Sequence, residues 1–107
     1  MVNYVIFSLE MHQPYRIKSN IDPRSDLRGL LDEELDELVL RRVAEKSYRP
    51  VLRILREEFD RIADKEGYKP MVNISISGVL LEQLTRYIPD IIDLLKDLVS
   101  SGYVEFL

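Results

Sequence analysis

The sequence predicts an α/β fold in which βαβ units build a parallel sheet. Three segments with strand character lie at residues 2–9, 71–77 and 103–107, and helical patterns fill the stretches between them. Strands that alternate with helices in this way are typical of parallel sheets with right-handed crossovers.

The first strand is predicted from a short apolar run. Residues 2–9 are rich in Val, Tyr, Ile, Phe and Leu without regular alternation, which is typical of a strand buried on both faces. Pro14 follows soon after. We therefore expect residues 10–23 to form a loop at the carboxyl end of this strand.

A first helix is expected over residues 26–46. Leu31, Leu35 and Leu38 share one face of this helix. The acidic run at residues 32–37 crowds the helix start, where the macrodipole favours negative charge. We expect this run to be solvated.

A second helix is expected to begin near Ser47. It accommodates Pro50 in its first turn and ends at Gly67. Its apolar stripe consists of Leu52, Leu55, Phe59 and Ile62. Their spacing of three and four residues predicts one face packed on the core.

The second strand, residues 71–77, alternates strictly. Its apolar side chains are Val72, Ile74 and Ile76, and its polar side chains are Asn73, Ser75 and Ser77. Side chains on a strand point alternately to opposite faces. The polar stripe therefore either lines the interior of a barrel or packs on small polar neighbours.

Two further helices lead to the third strand. Residues 79–87 carry Leu80, Leu84 and Tyr87 on one side. The next helix starts at Pro89, carries Ile91, Leu95 and Leu98 on one face, and ends at Gly102. Glu105 in the third strand either points into a polar interior or lies exposed.

Composition excludes several classes of function. The net charge of −4 argues against nucleic acid, which calls for a clustered basic surface. The absence of Cys excludes disulfides and thiolate metal sites, and we expect no cofactor. We expect no membrane partner and a cytoplasmic location. Charged residues reach 32%, above the usual quarter, which suggests a thermophilic source.

The chemistry-bearing groups cluster in the loop after the first strand. His12, Gln13, Tyr15 and Arg16 supply hydrogen-bond donors, acceptors and an aromatic face, which are the groups that recognise sugars. Ligands of parallel α/β proteins bind at the carboxyl ends of the strands. By spacing alone, a sugar site and an ordinary loop whose His makes local hydrogen bonds both remain open.

Four segments together resemble one family. They are residues 7–16 (FSLEMHQPYR), 45–50 (EKSYRP), 75–84 (SISGVLLEQL) and 101–107 (SGYVEFL). In this order they resemble the N-terminal part of glycoside hydrolase family 57, the α-amylase and 4-α-glucanotransferase group. The resemblance covers essentially the whole chain.

The resemblance implies a (β/α)7 (TIM-like) barrel that cleaves or transfers α-glucosidic bonds with retention. His12 and Gln13 match the motif that contacts the sugar next to the scissile bond, and Pro14 matches its turn. The substrate implied is an α-glucan or a maltooligosaccharide.

The resemblance also implies that both catalytic carboxylates lie on later strands, beyond the position of Leu107. We therefore expect no catalytic residue in this chain. Glu10 and Glu105 are weaker candidates for site residues. Glu10 departs from the residue that some members have at this position, and the orientation of Glu105 is open.

We expect residues 1–107 to be the truncated N-terminal part of a catalytic barrel domain, inactive alone. The alternative is a stand-alone carbohydrate-binding or assembly module, which would form an oligomer to cover its open strands. A metal-dependent barrel deacetylase is disfavoured because the chain lacks enough metal ligands.

Overall fold

The computed structural model describes residues 6–20, 23–24 and 28–106. In chain order, its elements are β1 (Ser8–Met11), a 3₁₀ turn (Arg28–Leu30), α1 (Glu33–Val43), a π-helical turn (Ala44–Tyr48), α2 (Arg49–Glu66), β2 (Val72–Ile76), α3 (Gly78–Tyr87), α4 (Pro89–Ser100) and β3 (Val104–Phe106). The predicted order of strands and helices is confirmed.

The three strands form one parallel sheet in the order β1-β2-β3. Leu9 is paired with Ile74, and Ile74 is paired with Phe106. Because neighbouring strands run the same way, their carboxyl ends lie at one edge of the sheet. The predicted parallel α/β architecture is therefore confirmed.

The two faces of the sheet differ in chemistry. Val72 and Ile74 of β2 are buried, and they belong to a core that includes Leu52 of α2, Leu84 of α3 and Leu95 of α4. The opposite face carries the polar side chains Ser8, Glu10, Asn73, Ser75 and Glu105. These five are exposed or half-buried, so this polar face is not covered by the described residues.

The prediction that the first strand is buried on both faces is wrong for its described part. β1 spans Ser8–Met11, and Met11 is its one buried residue. Ile6 and Phe7 are 76% and 67% exposed. The physical reason is that β1 lies at the edge of the described sheet and has the uncovered polar face on one side. Residues 2–5 of the predicted strand lie outside the described residues.

The predicted face of the first helix is also wrong. Leu35 and Leu38 are exposed, whereas Asp36, Leu40 and Ala44 are buried. These three are spaced by four residues, so they form the inner face of α1 and its continuation. The helix starts later than predicted, because the Asp32 side chain accepts a hydrogen bond from the Leu35 N–H and caps the helix there.

α1 and α2 are joined by the π-helical turn rather than by a break. The turn shifts the helical register by one residue, and Tyr48 lies at its end. α2 then runs to Gly67, whose φ of 73° is readily adopted only by glycine. The predicted stop at Gly67 and the buried position of Leu52 are confirmed.

The last two helices fold as predicted. Leu80 and Leu84 of α3 and Ile91 of α4 are fully buried, and Leu98 is almost so. Ser77 caps α3 by accepting a hydrogen bond from the Leu80 N–H. Gly102, which has a positive φ, lies two residues before the start of β3.

A polar cluster fixes α2 against the start of β3. The Tyr103 hydroxyl donates a 2.6 Å hydrogen bond to the Asp60 carboxylate, and Phe59 packs edge-on against the Tyr103 ring. This hydrogen bond lowers the pKa of Asp60 and raises the pKa of Tyr103. Arg56 contributes by pairing with both Asp60 and Asp97. The sheet that carries the candidate site therefore rests on a firmly joined helical layer.

Candidate functional site

The predicted site residues meet at the carboxyl ends of β1 and β2. Met11 ends β1 and is paired with Ile76, which ends β2. The Ser77 N–H donates a 3.2 Å hydrogen bond to the Met11 carbonyl, which keeps the two strand ends together. His12 and Ser77 therefore leave the sheet side by side, at the edge where parallel α/β proteins bind ligands.

His12 is held by the residue that caps α3. Its Nδ1 lies 2.6 Å from the Ser77 hydroxyl, and that hydroxyl also accepts a 3.2 Å hydrogen bond from the Leu80 N–H. The imidazole is otherwise exposed. One ring nitrogen is thus anchored on a helix start, and the other is available to a ligand.

Gln13 is held at both ends of its side-chain amide. Its Oε1 accepts a 3.1 Å hydrogen bond from the Arg16 guanidinium, and its Nε2 donates to the Tyr48 hydroxyl at 3.4 Å. Because a primary amide has two donors and two acceptor positions, one of each is left for a ligand. The Tyr48 hydroxyl also donates to the His12 carbonyl at 3.5 Å.

Arg16 is fixed in turn by a buried carboxylate. Asp36 is 2% exposed, and its Oδ1 accepts hydrogen bonds from the Arg16 backbone N–H at 2.9 Å and from its guanidinium at 3.4 Å. The expectation that the acidic run is solvated is therefore wrong at Asp36. A buried carboxylate needs such partners, and the loop after β1 supplies them.

Gln83 supports the turn from below. It is 1% exposed, and its Nε2 donates to the Gln13 carbonyl at 3.0 Å and to the Pro14 carbonyl at 3.5 Å. The sequence contained a signal for this residue. Gln83 lies three residues after Leu80 and just before Leu84, so it occupies the buried face of α3.

Tyr15 and Arg16 belong to the framework rather than to the exposed part of the loop. Tyr15 borders a cavity of about 90 Å³ that Asp36, Glu82 and Gln83 also line. Burial and the hydrogen bond with Glu82 raise the pKa of Tyr15 to about 12, so its phenol stays protonated. Of the four loop groups expected to recognise a sugar, Tyr15 and Arg16 thus have partners in the framework, whereas His12 is exposed and the Gln13 amide has a free donor and a free acceptor position.

Glu10 and Glu105 both lie on the polar face, on strands that are separated by β2. Glu10 is in register with Ser75, whereas Glu105 is in register with Asn73. They are therefore two strands apart and displaced by two residues, which places their Cα atoms about 12 Å apart.

Two negative findings hold for the part of the chain that the structure describes. None of its His, Asp and Glu side chains form a group of three that could hold a metal ion. No helix within it combines the length and the apolar character needed to cross a membrane.

The chain is similar to α-amylases over part of their length. It is 33% identical to a "Putative alpha-amylase" of Methanocaldococcus jannaschii over 105 residues, covering 96% of this chain and 21% of that protein. It is 42% identical to an α-amylase of Pyrococcus horikoshii over 71 residues, covering 66% of this chain and 10% of that protein. The chain thus spans about a fifth or less of the length of these relatives.

A solved structure is also similar to nearly the whole of this chain. The crystal structure of 4-α-glucanotransferase from Thermococcus litoralis superposes with a TM-score of 0.60 at 29% sequence identity, covering 95% of this chain and 12% of that one. The family model described as "Glycosyl hydrolase family 57" matches residues 6–107. The structural similarity agrees with the first part of a barrel. The chain belongs to glycosyl hydrolase family 57.

Proposed function

We propose that residues 1–107 form the first part of the catalytic (β/α)7 barrel of a retaining glycosyl hydrolase or glucanotransferase. The substrate would be an α-1,4-linked glucan or maltooligosaccharide, and His12 and Gln13 would contact the glucosyl unit at the cleavage point. The observation that carries this proposal is the placement of both residues at the carboxyl ends of β1 and β2, above an uncovered polar sheet face.

The free hydrogen-bonding capacity of the two residues supports a sugar ligand. The outer nitrogen of His12 and one donor and one acceptor of Gln13 have no partner among the described residues. Sugar hydroxyls both donate and accept hydrogen bonds. A neighbouring donor and acceptor on a rigid support therefore suit one glucosyl unit, since a fixed geometry reduces the entropy lost on binding.

In the proposed enzyme, the catalytic carboxylates and the sugar contacts of this chain come from different strands. A retaining glycosidase needs a nucleophile and an acid/base carboxyl about 5–5.5 Å apart. We propose that later strands supply that pair and that this chain supplies one wall of the sugar site. Glu105, Asn73 and Ser8 form a row across the polar face and would line the barrel interior.

An activity assay with product analysis tests the proposal. The full-length protein should hydrolyse or transfer maltooligosaccharides, and NMR of the first product should show the anomeric configuration of the substrate. The 107-residue chain alone should release no glucose, because the catalytic pair is absent.

Three outcomes would decide against parts of this account. Glucose release by the pure 107-residue chain would show that its catalytic groups are present within it. Inversion of configuration by the full-length protein would exclude the retaining mechanism. Saturable maltooligosaccharide binding by a discrete oligomer without any turnover by the full-length protein would favour the stand-alone binding or assembly module.

We also propose that the protein comes from a thermophile. The helix surfaces carry ion pairs that share a partner, as Arg56 does with Asp60 and Asp97, and such networks support a thermophilic source. We further propose a cytoplasmic location, as expected from the sequence, and cell fractionation would test it.

A further inference from the structure

We propose that Ser77 is a positioning residue that selects one tautomer of His12. In this arrangement the Ser77 hydroxyl donates a hydrogen bond to the unprotonated Nδ1, and the ring proton of His12 lies on Nε2. The consequence for substrate rests on the proposed sugar site, whereas the tautomer itself does not.

The hydrogen-bonding capacity of the Ser77 hydroxyl favours this direction. It has one proton and two lone pairs, and the Leu80 N–H already occupies one lone pair. If Nδ1 of His12 carried a proton, it would use the second lone pair and leave the hydroxyl proton without a described partner. The opposite direction leaves only a lone pair unused, and an unused lone pair costs less than an unused donor.

The distance between the two atoms shows a direct contact. His12 Nδ1 and Ser77 Oγ are 2.6 Å apart. This distance lies at the short end of the range for protein hydrogen bonds, so no water lies between the two groups. Ser77 is therefore the group that faces Nδ1 of His12.

The electrostatic environment at the start of α3 also favours an unprotonated Nδ1. The first turn of this ten-residue helix directs its N–H groups towards Ser77, which creates partial positive charge there. An unprotonated nitrogen facing this region is favoured over a protonated one. The hydrogen bond from Leu80 also polarises the Ser77 hydroxyl and makes it a better donor.

The consequence is that His12 presents an N–H donor to the site. In every protein molecule, Nε2 can then donate a hydrogen bond to a hydroxyl oxygen of the sugar. Without Ser77 both tautomers become populated, and in one of them Nε2 offers a lone pair instead. We therefore expect Ser77 to affect sugar affinity through His12, without contact between Ser77 and the sugar.

Nitrogen-15 NMR tests the tautomer directly. The full-length protein labelled at its histidines, at about pH 8 where an ordinary imidazole is neutral, would be compared with its His12→Gln variant to identify the His12 signals. An unprotonated ring nitrogen resonates far downfield of a protonated one. We expect the downfield signal to belong to Nδ1, and its assignment to Nε2 would overturn the proposal.

Three variants separate positioning from a merely structural role. Ser77→Ala should shift the His12 signals towards a mixture of tautomers and weaken maltooligosaccharide binding by up to about twofold, the factor expected when about half of the molecules keep the binding tautomer. Ser77→Thr keeps the hydroxyl and should preserve both. Asp32→Ala removes the equivalent cap of α1 and should lower the melting temperature comparably, with an unchanged tautomer and affinity.

The outcomes also separate this proposal from the proposed function. The expected tautomer in a protein that binds no glucan would contradict the sugar site and leave the role of Ser77 intact. Glucan binding by a protein whose His12 carries its proton on Nδ1 would support the sugar site and contradict the role of Ser77. Equal loss of affinity in Ser77→Ala and Asp32→Ala would show that Ser77 affects affinity only by capping its helix.

Discussion

Replacing His12 by alanine in the full-length protein should lower kcat/KM on maltooligosaccharides about ten- to hundredfold. Loss of the hydrogen bond that orients the glucosyl unit, which leaves a polar group of the bound sugar without its partner, costs about 1.5–3 kcal/mol. Stability should fall by no more than about 1 kcal/mol, because the imidazole is exposed and makes one described side-chain hydrogen bond. Steady-state kinetics and thermal unfolding measure the two effects.

The control for this variant is Lys96→Ala, an exposed change on α4, which should leave both measurements unchanged. A fall in kcat would assign the contact with His12 to the transition state, whereas a rise in KM alone would assign it to ground-state binding. An unchanged kcat/KM in His12→Ala would remove this residue from the site.

Replacing Asp36 by alanine should destabilise the protein by about 2–4 kcal/mol. The change leaves the Arg16 backbone N–H and guanidinium without their shared acceptor and opens a cavity in the inner face of α1. Because Arg16 also holds the Gln13 amide, activity on glucans should fall as well. Urea unfolding followed by circular dichroism measures the stability.

Two further variants make this prediction specific. Glu34→Ala removes an exposed carboxylate from the same helix turn and should change stability by less than about 0.5 kcal/mol. Asp36→Asn keeps an oxygen that can accept from the Arg16 N–H and should fall between the other two. Equal stability of Glu34→Ala and Asp36→Ala would contradict the buried role of Asp36.

The elements predicted best are those whose pattern is decided by near neighbours. The alternation in β2 predicts its two faces correctly, because successive side chains on a strand must point in opposite directions. The α4 stripe of Ile91, Leu95 and Leu98 is buried as expected. Gly67 and Gly102 adopt positive φ, as their positions after helices predict.

The errors occur where a distant part of the chain decides burial. An acidic residue near a helix start is usually solvated, and only the Arg16 loop, 20 residues earlier, makes burial of Asp36 favourable. Gln83 is buried because it donates to carbonyls about 70 residues away. For β1, apolar composition alone could not show that few described groups cover Ile6 and Phe7.

The positions of the candidate site residues were predicted in part for the same reason. The position of His12 and Gln13 after the first strand follows from a local pattern, and the structure brings both to the strand ends. Their partners Ser77, Tyr48 and Gln83 come from three other segments, and no spacing rule links them to the loop. Tyr15 and Arg16 were expected to contact a sugar on the same local grounds, and the fold gives both of them partners on α1 and α3.

A crystal structure of the full-length protein with a bound maltooligosaccharide tests the central claim most directly. We expect one glucosyl unit at the carboxyl ends of β1 and β2, with a hydroxyl oxygen within hydrogen-bonding distance of His12 Nε2 and another hydroxyl near the Gln13 amide. The later-strand carboxylates should lie across the scissile bond from them. A glucan bound with its scissile bond far from His12 and Gln13 would contradict the account.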